Sequence, residues 1–327
     1  MAKPDLWDDP ETAVKKQKKL AELKEEVNTV SNFREKKEEI KEILGELGED
    51  NDLLKEVSDK VRELKREIGK KEFRVFLSGK YDKKGAILEI SSGVGGRDAE
   101  DFVAMLLRMY ERYVERKGYQ KKIVYASYGD AGGPEGRVGI KSVSLEINGA
   151  YAFGFLKEES GTHRLVRKSP FSSGGVRHTS FAQVDVFPKI GEKDTDVKIK
   201  EEDIRVDVFR ASGPGGQHVN KRETAVRVTH LPTKVVAASQ SERLQGENRR
   251  ISINIIKSKL QQMKEKEKKE EAERAKGEGF GSSWGTQIRN YVLHPYKLIK
   301  DLRTQKETSN VEEVLDGDLD IIKNDFL

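Results

Sequence analysis

The apolar residues of this chain change their period once, close to residue 85, and that change limits the folds open to it. From about residue 10 to 76, Leu20, Leu23, Val27 and Val30 recur at helical spacing, as do Leu53, Leu54, Val57, Val61, Leu64 and Ile68. Gly45, Gly48 and Asp50-Asn51 interrupt the two runs. The spacing predicts a hairpin of two long helices whose many charges form a solvated face. Beyond 85 the apolar residues alternate instead, which predicts strands at Ala86–Ile90, Lys122–Tyr128, Val143–Ile147, Tyr151–Phe155 and Gln183–Phe187. One helix interrupts them, from Ala99 to Lys117, with Asp98 as its starting cap and Gly118 at its end. Its apolar stripe is Phe102, Val103, Leu106, Met109, Tyr110 and Tyr113. Strands mixed with one long helix make an α+β unit.

A second, smaller α+β unit runs from about 192 to 262. Strands are expected at Ile204–Phe209, Ala225–Thr229 and Lys234–Ala238, followed by a helix from about Gly246 to Ala275. The chain from Trp284 onward has too few apolar residues for its own core, so it should pack back on the first α+β unit. The fold class expected is thus α+β multidomain. It comprises a helical domain (1–80), an α+β domain (81–191), a small α+β domain with a long helix (192–276) and a C-terminal segment (277–327) packed on the second of these.

Composition removes several function classes. No run of 18 apolar residues is present, so no membrane span is expected, and the first residues contain no apolar signal segment. There is no Cys, which excludes disulfides and thiolate metal sites. The five His make no His-Glu-x-x-His pattern, so neither a zinc site nor any cofactor is expected. A cytoplasmic monomer is the expectation. The net charge of +5 is small but unevenly spread, and local clusters of cations are what a polyanion meets.

The first cluster surrounds Arg210-Ala-Ser-Gly-Pro-Gly-Gly-Gln-His-Val-Asn-Lys221. Ser212 to Gly216 carry almost no side chain, and Gln217 follows as a lone amide. Arg210, His218, Lys221, Arg222 and Arg227 form a basic collar. Bare backbone inside such a collar suits a loop that enters a crevice of nucleic acid, although a plain surface turn between two strands has the same composition. Phosphate-loop and dinucleotide patterns fail on spacing, because Lys221 comes five positions after Gly216 and His218 stands where a third Gly is required. The second cluster is His163-Arg-Leu-Val-Arg-Lys-Ser169-Pro-Phe171-Ser-Ser-Gly-Gly-Val-Arg-His178-Thr179-Ser180-Phe181. Arg and Lys neutralise phosphate, Phe and His stack on unpaired bases, and Ser and Thr bond to base edges. Pro170 stiffens the segment. A basic loop with no partner is the competing reading.

With both strings in view, the chain resembles the bacterial class-I peptide chain release factors, from about Pro4 to its C-terminus. Gly215-Gly216-Gln217 matches the tripeptide that enters the ribosomal peptidyl transferase centre. Ser169-Pro170-Phe171 matches the tripeptide of the release factor 2 branch, where the release factor 1 branch has Pro-x-Thr. The resemblance implies further roles. His178 and Thr179 would contact the second and third codon bases, with His178 stacking and with Arg164 and Val166 supporting that pocket. Gly95 and Asp98 would meet the first-position uridine through backbone groups at the start of the 99–117 helix. The family usually has Glu at the place of Asp98. Trp284 would belong to a hinge that senses decoding, or simply be a core residue. Implied partners are ribosomal RNA, the mRNA stop codon, peptidyl-tRNA, a glutamine methyltransferase acting on Gln217, and a class-II release factor GTPase.

The reaction implied is hydrolysis of the peptidyl-tRNA ester. Gln217 has no proton to exchange near neutral pH, so it offers a backbone N–H to a developing oxyanion and an amide to place water. The rest of such a site would be ribosomal RNA, and the free chain should be no esterase. Three functions compete at this point. They are a UAA/UGA termination factor (or its UAA/UAG counterpart), a codon-independent ribosome-rescue hydrolase, and an RNA-binding scaffold.

Overall fold

The structure, a computed structural model, describes residues 10–45, 51–77, 79–129, 138–172, 174–190, 199–211, 223–275 and 287–323. The chain divides into two compact units between Phe76 and Leu77. In the first, helix α1 (Pro10–Gly45) and helix α2 (Asn51–Phe76) form a hairpin. Among its described side chains, Ile40 and Val57 are the buried apolar ones. Lys36 bonds Glu67 and Lys60 bonds Glu39, so partner numbers fall on one helix as they rise on the other, and the helices are antiparallel. Such exposed ion pairs add little to stability, because water and salt screen them.

The second unit is built on an eight-stranded sheet. Its strands are β1 (Ala86–Ser92), β2 (Gln120–Tyr128), β3 (Ile140–Asn148), β4 (Gly161–Lys168), β5 (Arg177–Pro188), β9 (Gln287–Val292), β10 (Leu298–Asp301) and β11 (Glu307–Thr308). The order across the sheet is β11-β10-β9-β4-β5-β1-β3-β2. Every pairing is antiparallel except that of β4 with β9. Helix α3 (Arg97–Arg116) lies on one face and buries Phe102, Leu106, Met109, Tyr110 and Tyr113 against Leu88, Ile90, Leu145 and Val184. Each such fully buried side chain contributes about 1.5–3 kcal/mol relative to exposure. The C-terminal segment adds strands β9 to β11 and the short helix α6 (Val311–Leu315), whose Val311 and Val314 enter the same core.

The opposite face of the sheet carries a second layer. Strands β6 (Ile204–Phe209), β7 (Ala225–His230) and β8 (Val236–Ser239) form a small sheet with the long helix α5 (Gln245–Ala275) packed on it. Adjacent residues of a strand point to opposite faces. Leu88 therefore joins the α3 core, while Ile87, with Val124 of β2, joins Val226, Val228, Ala237, Ile255, Ile256 and Leu260.

Three expectations need correction. Tyr151–Phe155 is no strand: it lies in a turn and the five-residue helix α4 (Ala152–Leu156). Its N–H groups are claimed elsewhere, Phe153 N by Lys84 O and Gly154 N by Asp82 O, and Tyr151 sits at φ 65°. Asp98 does not cap α3. Gly96 holds that place, and no side chain caps the helix. Gly118, at φ 69°, does end it, with its N–H donated to Glu115 O. Finally, most of 163–181 is not loop, since β4 and β5 pair as a hairpin and leave 169–176 as the connection.

Candidate nucleic-acid interface

The hairpin β4–β5 sets the site by its register. Arg164 faces Phe181, Val166 faces Thr179, Arg167 faces His178 and Lys168 faces Arg177. The connection is closed by Ser169 N donating to Val176 O at 3.0 Å, and it turns through Gly175 at φ 60°. Ser169 is buried, Pro170 is exposed and Phe171 is half-buried.

Asp98, on the first turn of α3, joins the hairpin to the helix. Its Oδ1 accepts from Arg167 Nη2 at 3.1 Å, and its Oδ2 accepts from Ser169 Oγ at 2.6 Å and from His178 Nδ1 at 2.9 Å. A carboxylate only accepts, so His178 carries a proton on Nδ1 and turns Nε2 outward. Burial pushes the Asp98 carboxyl up, but hydrogen bonds from Ser169, His178 and Arg167 outweigh it and hold the group below its ordinary value. Arg167 Nη2 also lies 2.6 Å from Asp101 Oδ2, and its Nη1 lies 3.5 Å from Met105 Sδ. The Ser169 oxygen in turn accepts from Phe171 N at 3.2 Å. A chain of bonds therefore runs from the helix through Ser169 into the tripeptide.

The loop before α3 is fitted to the same hairpin. Gly93 N donates to Phe181 O at 2.8 Å, and Phe181 N donates to Val94 O at 2.9 Å. Gly95 has φ 137°, and a Cβ there would lie 2.9 Å from the Cβ and Oγ of Ser180. Only glycine meets both demands. No side chain caps the first turn of α3, and its Ala99 and Glu100 N–H groups donate to Gly96 O at 3.0 and 3.1 Å.

The structure thus gathers Gly95, Asp98, Ser169, Pro170, Phe171 and His178 at one tip. Thr179, Val166 and Arg164 belong to the same hairpin but project from the other face of the sheet, because adjacent strand residues alternate. Arg167 and Asp101 were not singled out from the sequence. The i, i+3 spacing of Asp98 and Asp101, with Met105 one turn on, places all three on one helix face and is the signal that marks them. Gly215, Gly216, Gln217 and Trp284 lie outside the described residues. The ends of the Gly-Gly-Gln loop are visible: Phe209 of β6 pairs with Ala225 of β7, Arg210 Nε lies 3.5 Å from Glu223 Oε1, and Arg227 lies over the Phe209 ring. In the chain, residues 212–222 link β6 to β7, which pair antiparallel in the small sheet. Among the described residues, no group of three or more His, Cys, Asp or Glu is placed to hold a metal, and no helix is long and apolar enough to cross a membrane.

The chain is similar to known proteins over almost its whole length. Residues 1–184 match a family model described as the PCRF domain, and residues 192–303 match one described as the RF-1 domain. A protein named Peptide chain release factor 2 from Thermomicrobium roseum is 44% identical over 98% of this chain and 83% of its own length. One of the same name from Clostridium perfringens is 45% identical, covering 98% of this chain and 87% of its own length. A solved structure described as RF2 of Thermus thermophilus matches with a TM-score of 0.72 at 40% identity, over 98% of this chain and 88% of that one.

Proposed function

The chain belongs to the peptide chain release factor family, and on that premise we propose that it ends translation at UAA and UGA and triggers peptidyl-tRNA hydrolysis on the ribosome. The observation that carries the codon assignment is the Asp98 centre, which holds Ser169 and His178 at one tip. Ser169 gives its proton to Asp98 and keeps a lone pair for a base. An adenine amino group at the second position donates to that oxygen directly. A guanine carbonyl is met when the hydroxyl proton turns from Asp98 to the base. One residue thereby serves both second-position purines. His178 supplies a ring for stacking.

Thr179 follows His178 but projects from the other face, beside Val166. The third base is therefore read apart from the second, and the codon must be single-stranded and unstacked there. Thr179, with Val166 and Arg164, favours adenine at the third position. Guanine there leaves polar groups unpaired, at about 1–3 kcal/mol. Gly95 and the open turn at Asp98 offer backbone N–H groups to the first-position uridine.

Release itself falls to Gly215, Gly216 and Gln217. Glycine backbone permits close approach, the Gln217 N–H faces the developing oxyanion, and the amide side chain orders water. The remaining groups come from ribosomal RNA, so the chain alone hydrolyses nothing. Residues 1–80, 81–191 with 277–327, and 192–276 act as its domains, with Trp284 in the hinge. Its partners are ribosomal RNA, the mRNA stop codon, peptidyl-tRNA, a class-II release factor GTPase and a methyltransferase for Gln217, all in the cytoplasm. Release measured on ribosomes programmed with each stop codon tests the reading. UAA and UGA should be efficient and UAG at least about tenfold slower, since 1.4 kcal/mol is a factor of ten. Efficient UAG release would move the chain to the release factor 1 branch.

A further inference from the structure

Among the described residues, Arg289 is the largest side chain that is wholly buried. Its Nη1 donates to Glu159 Oε2 at 2.7 Å, and its Nη2 donates to Glu159 Oε1 at 3.1 Å and Asp301 Oδ2 at 3.3 Å. Tyr110 of α3 donates to the same Glu159 at 3.0 Å. His163, the register partner of Arg289, bridges Glu159 O and the Tyr291 hydroxyl, at 3.2 Å each. Four segments therefore meet in one buried cluster: α3 through Tyr110, the turn before β4 through Glu159, β9 through Arg289 and β10 through Asp301.

Stability alone is a poor reason for this arrangement. Burying charges costs solvation that their attraction barely returns, and apolar replacements of such clusters often fold as well or better. What a bidentate guanidinium adds is direction, because its planar fork admits one relative placement of the groups it joins. Here it ties β9 to Glu159, two residues ahead of β4, and to Asp301 of β10. The pairing of β9 with β4 is the one parallel ladder in the sheet, and it carries a register irregularity between Thr162 and His163. Parallel strands joined by a distant connection have no tight turn to set their register. β4 then runs from His163 directly to Ser169.

We propose that Arg289 is a positioning residue for stop-codon reading: by fixing β9 against β4 it sets where Ser169, Val166 and Arg164 stand, so a segment from the far end of the chain governs codon fidelity. The proposal rests on the termination reading above. The tail continues the lock beyond Arg289, since Leu293 N donates to Val166 O at 2.8 Å.

The test uses the full chain on programmed ribosomes, with the wild type measured alongside. A paired variant, Arg289→Met with Glu159→Gln, removes this ion pair, leaves Asp301 to Arg303 and Lys323 to Phe155 O, and keeps a partner for Tyr110. Assayed well below its unfolding temperature, it should raise the KM for UGA-programmed ribosomes about tenfold and leave kcat at saturation within about twofold. Its preference for UGA over UAG should fall by a similar factor. Arg289→Lys, which keeps the charge without the fork, should lie between the two. A folded paired variant with wild-type KM and wild-type UAG rejection overturns the proposal. Where that variant does not fold, Arg289→Lys and Asp301→Asn decide in the same way: raised KM with retained kcat supports positioning, and unchanged KM overturns it. A wild type that fails to release on UGA contradicts the termination reading instead, and so is distinguishable.

Discussion

Three donors from one hairpin meet on the carboxylate of Asp98, yet its place in the sequence suggests a different job. An Asp just ahead of a helical run normally caps the helix. Here a glycine at φ 57° holds the cap, and the side chain is freed to cross to Arg167, Ser169 and His178. The residues proposed to read the codon stand out as short strings in the sequence. Their division between two faces was not, because a face is known only once register is known. Gly216 gives the sharpest residue-level expectation. Gly216→Ala should lower peptide release at least about a hundredfold, the scale of losing one oxyanion donor, while stop-codon-dependent ribosome binding stays within about twofold. Release assays and filter binding on the same ribosomes check this, and wild-type release by the variant would contradict the role given to that backbone.

Among the elements, β4 links core and site and brings a titratable group with it. Burial, helped by the nearby Arg289, pushes the His163 imidazole down to about 4. The unfolded chain therefore takes up a proton between about pH 6.5 and 4 that the folded chain refuses. Stability is full above that window and falls as pH drops through it, by about 3 kcal/mol. His163→Gln should flatten the denaturant midpoint across this range. An equal slope in both proteins would remove His163 from the account. β6 runs over the residues its alternation predicts, and the helical hairpin breaks where glycine and Asp50-Asn51 interrupt it. Tyr151–Phe155 alternates just as well but lost its backbone donors to Asp82 and Lys84, a tertiary competition that no local pattern contains. The joining of β9 to β4 was equally hidden, since more than a hundred residues separate them.

At the scale of the whole molecule, the small sheet and α5 rest on the outer face of the large sheet through an apolar cluster and a few polar ties. Lys259 Nζ donates to Glu89 Oε2 at 2.7 Å, and Gln262 Nε2 donates to Val186 O at 3.1 Å. Glu89 and Asp185 face each other across neighbouring strands, and burial raises the Asp185 carboxyl. Lys259→Glu would set a third carboxylate beside them. It should weaken this packing by about 2 kcal/mol and enlarge the particle in small-angle scattering without loss of helix. Unchanged scattering would show that the apolar cluster alone holds the layers. The order of the large sheet also bears on manufacture. Its fourth strand pairs on one side with a strand made more than a hundred residues later, so the hairpin we assign to stop-codon reading cannot be seated until Val292 has been made. A product cut short by an aborted or frameshifted round, ending ahead of Gln287, lacks the strand that seats that surface. Copies truncated there should therefore reject UAG less well than the full chain, and the finishing of that strand is what makes the reader selective.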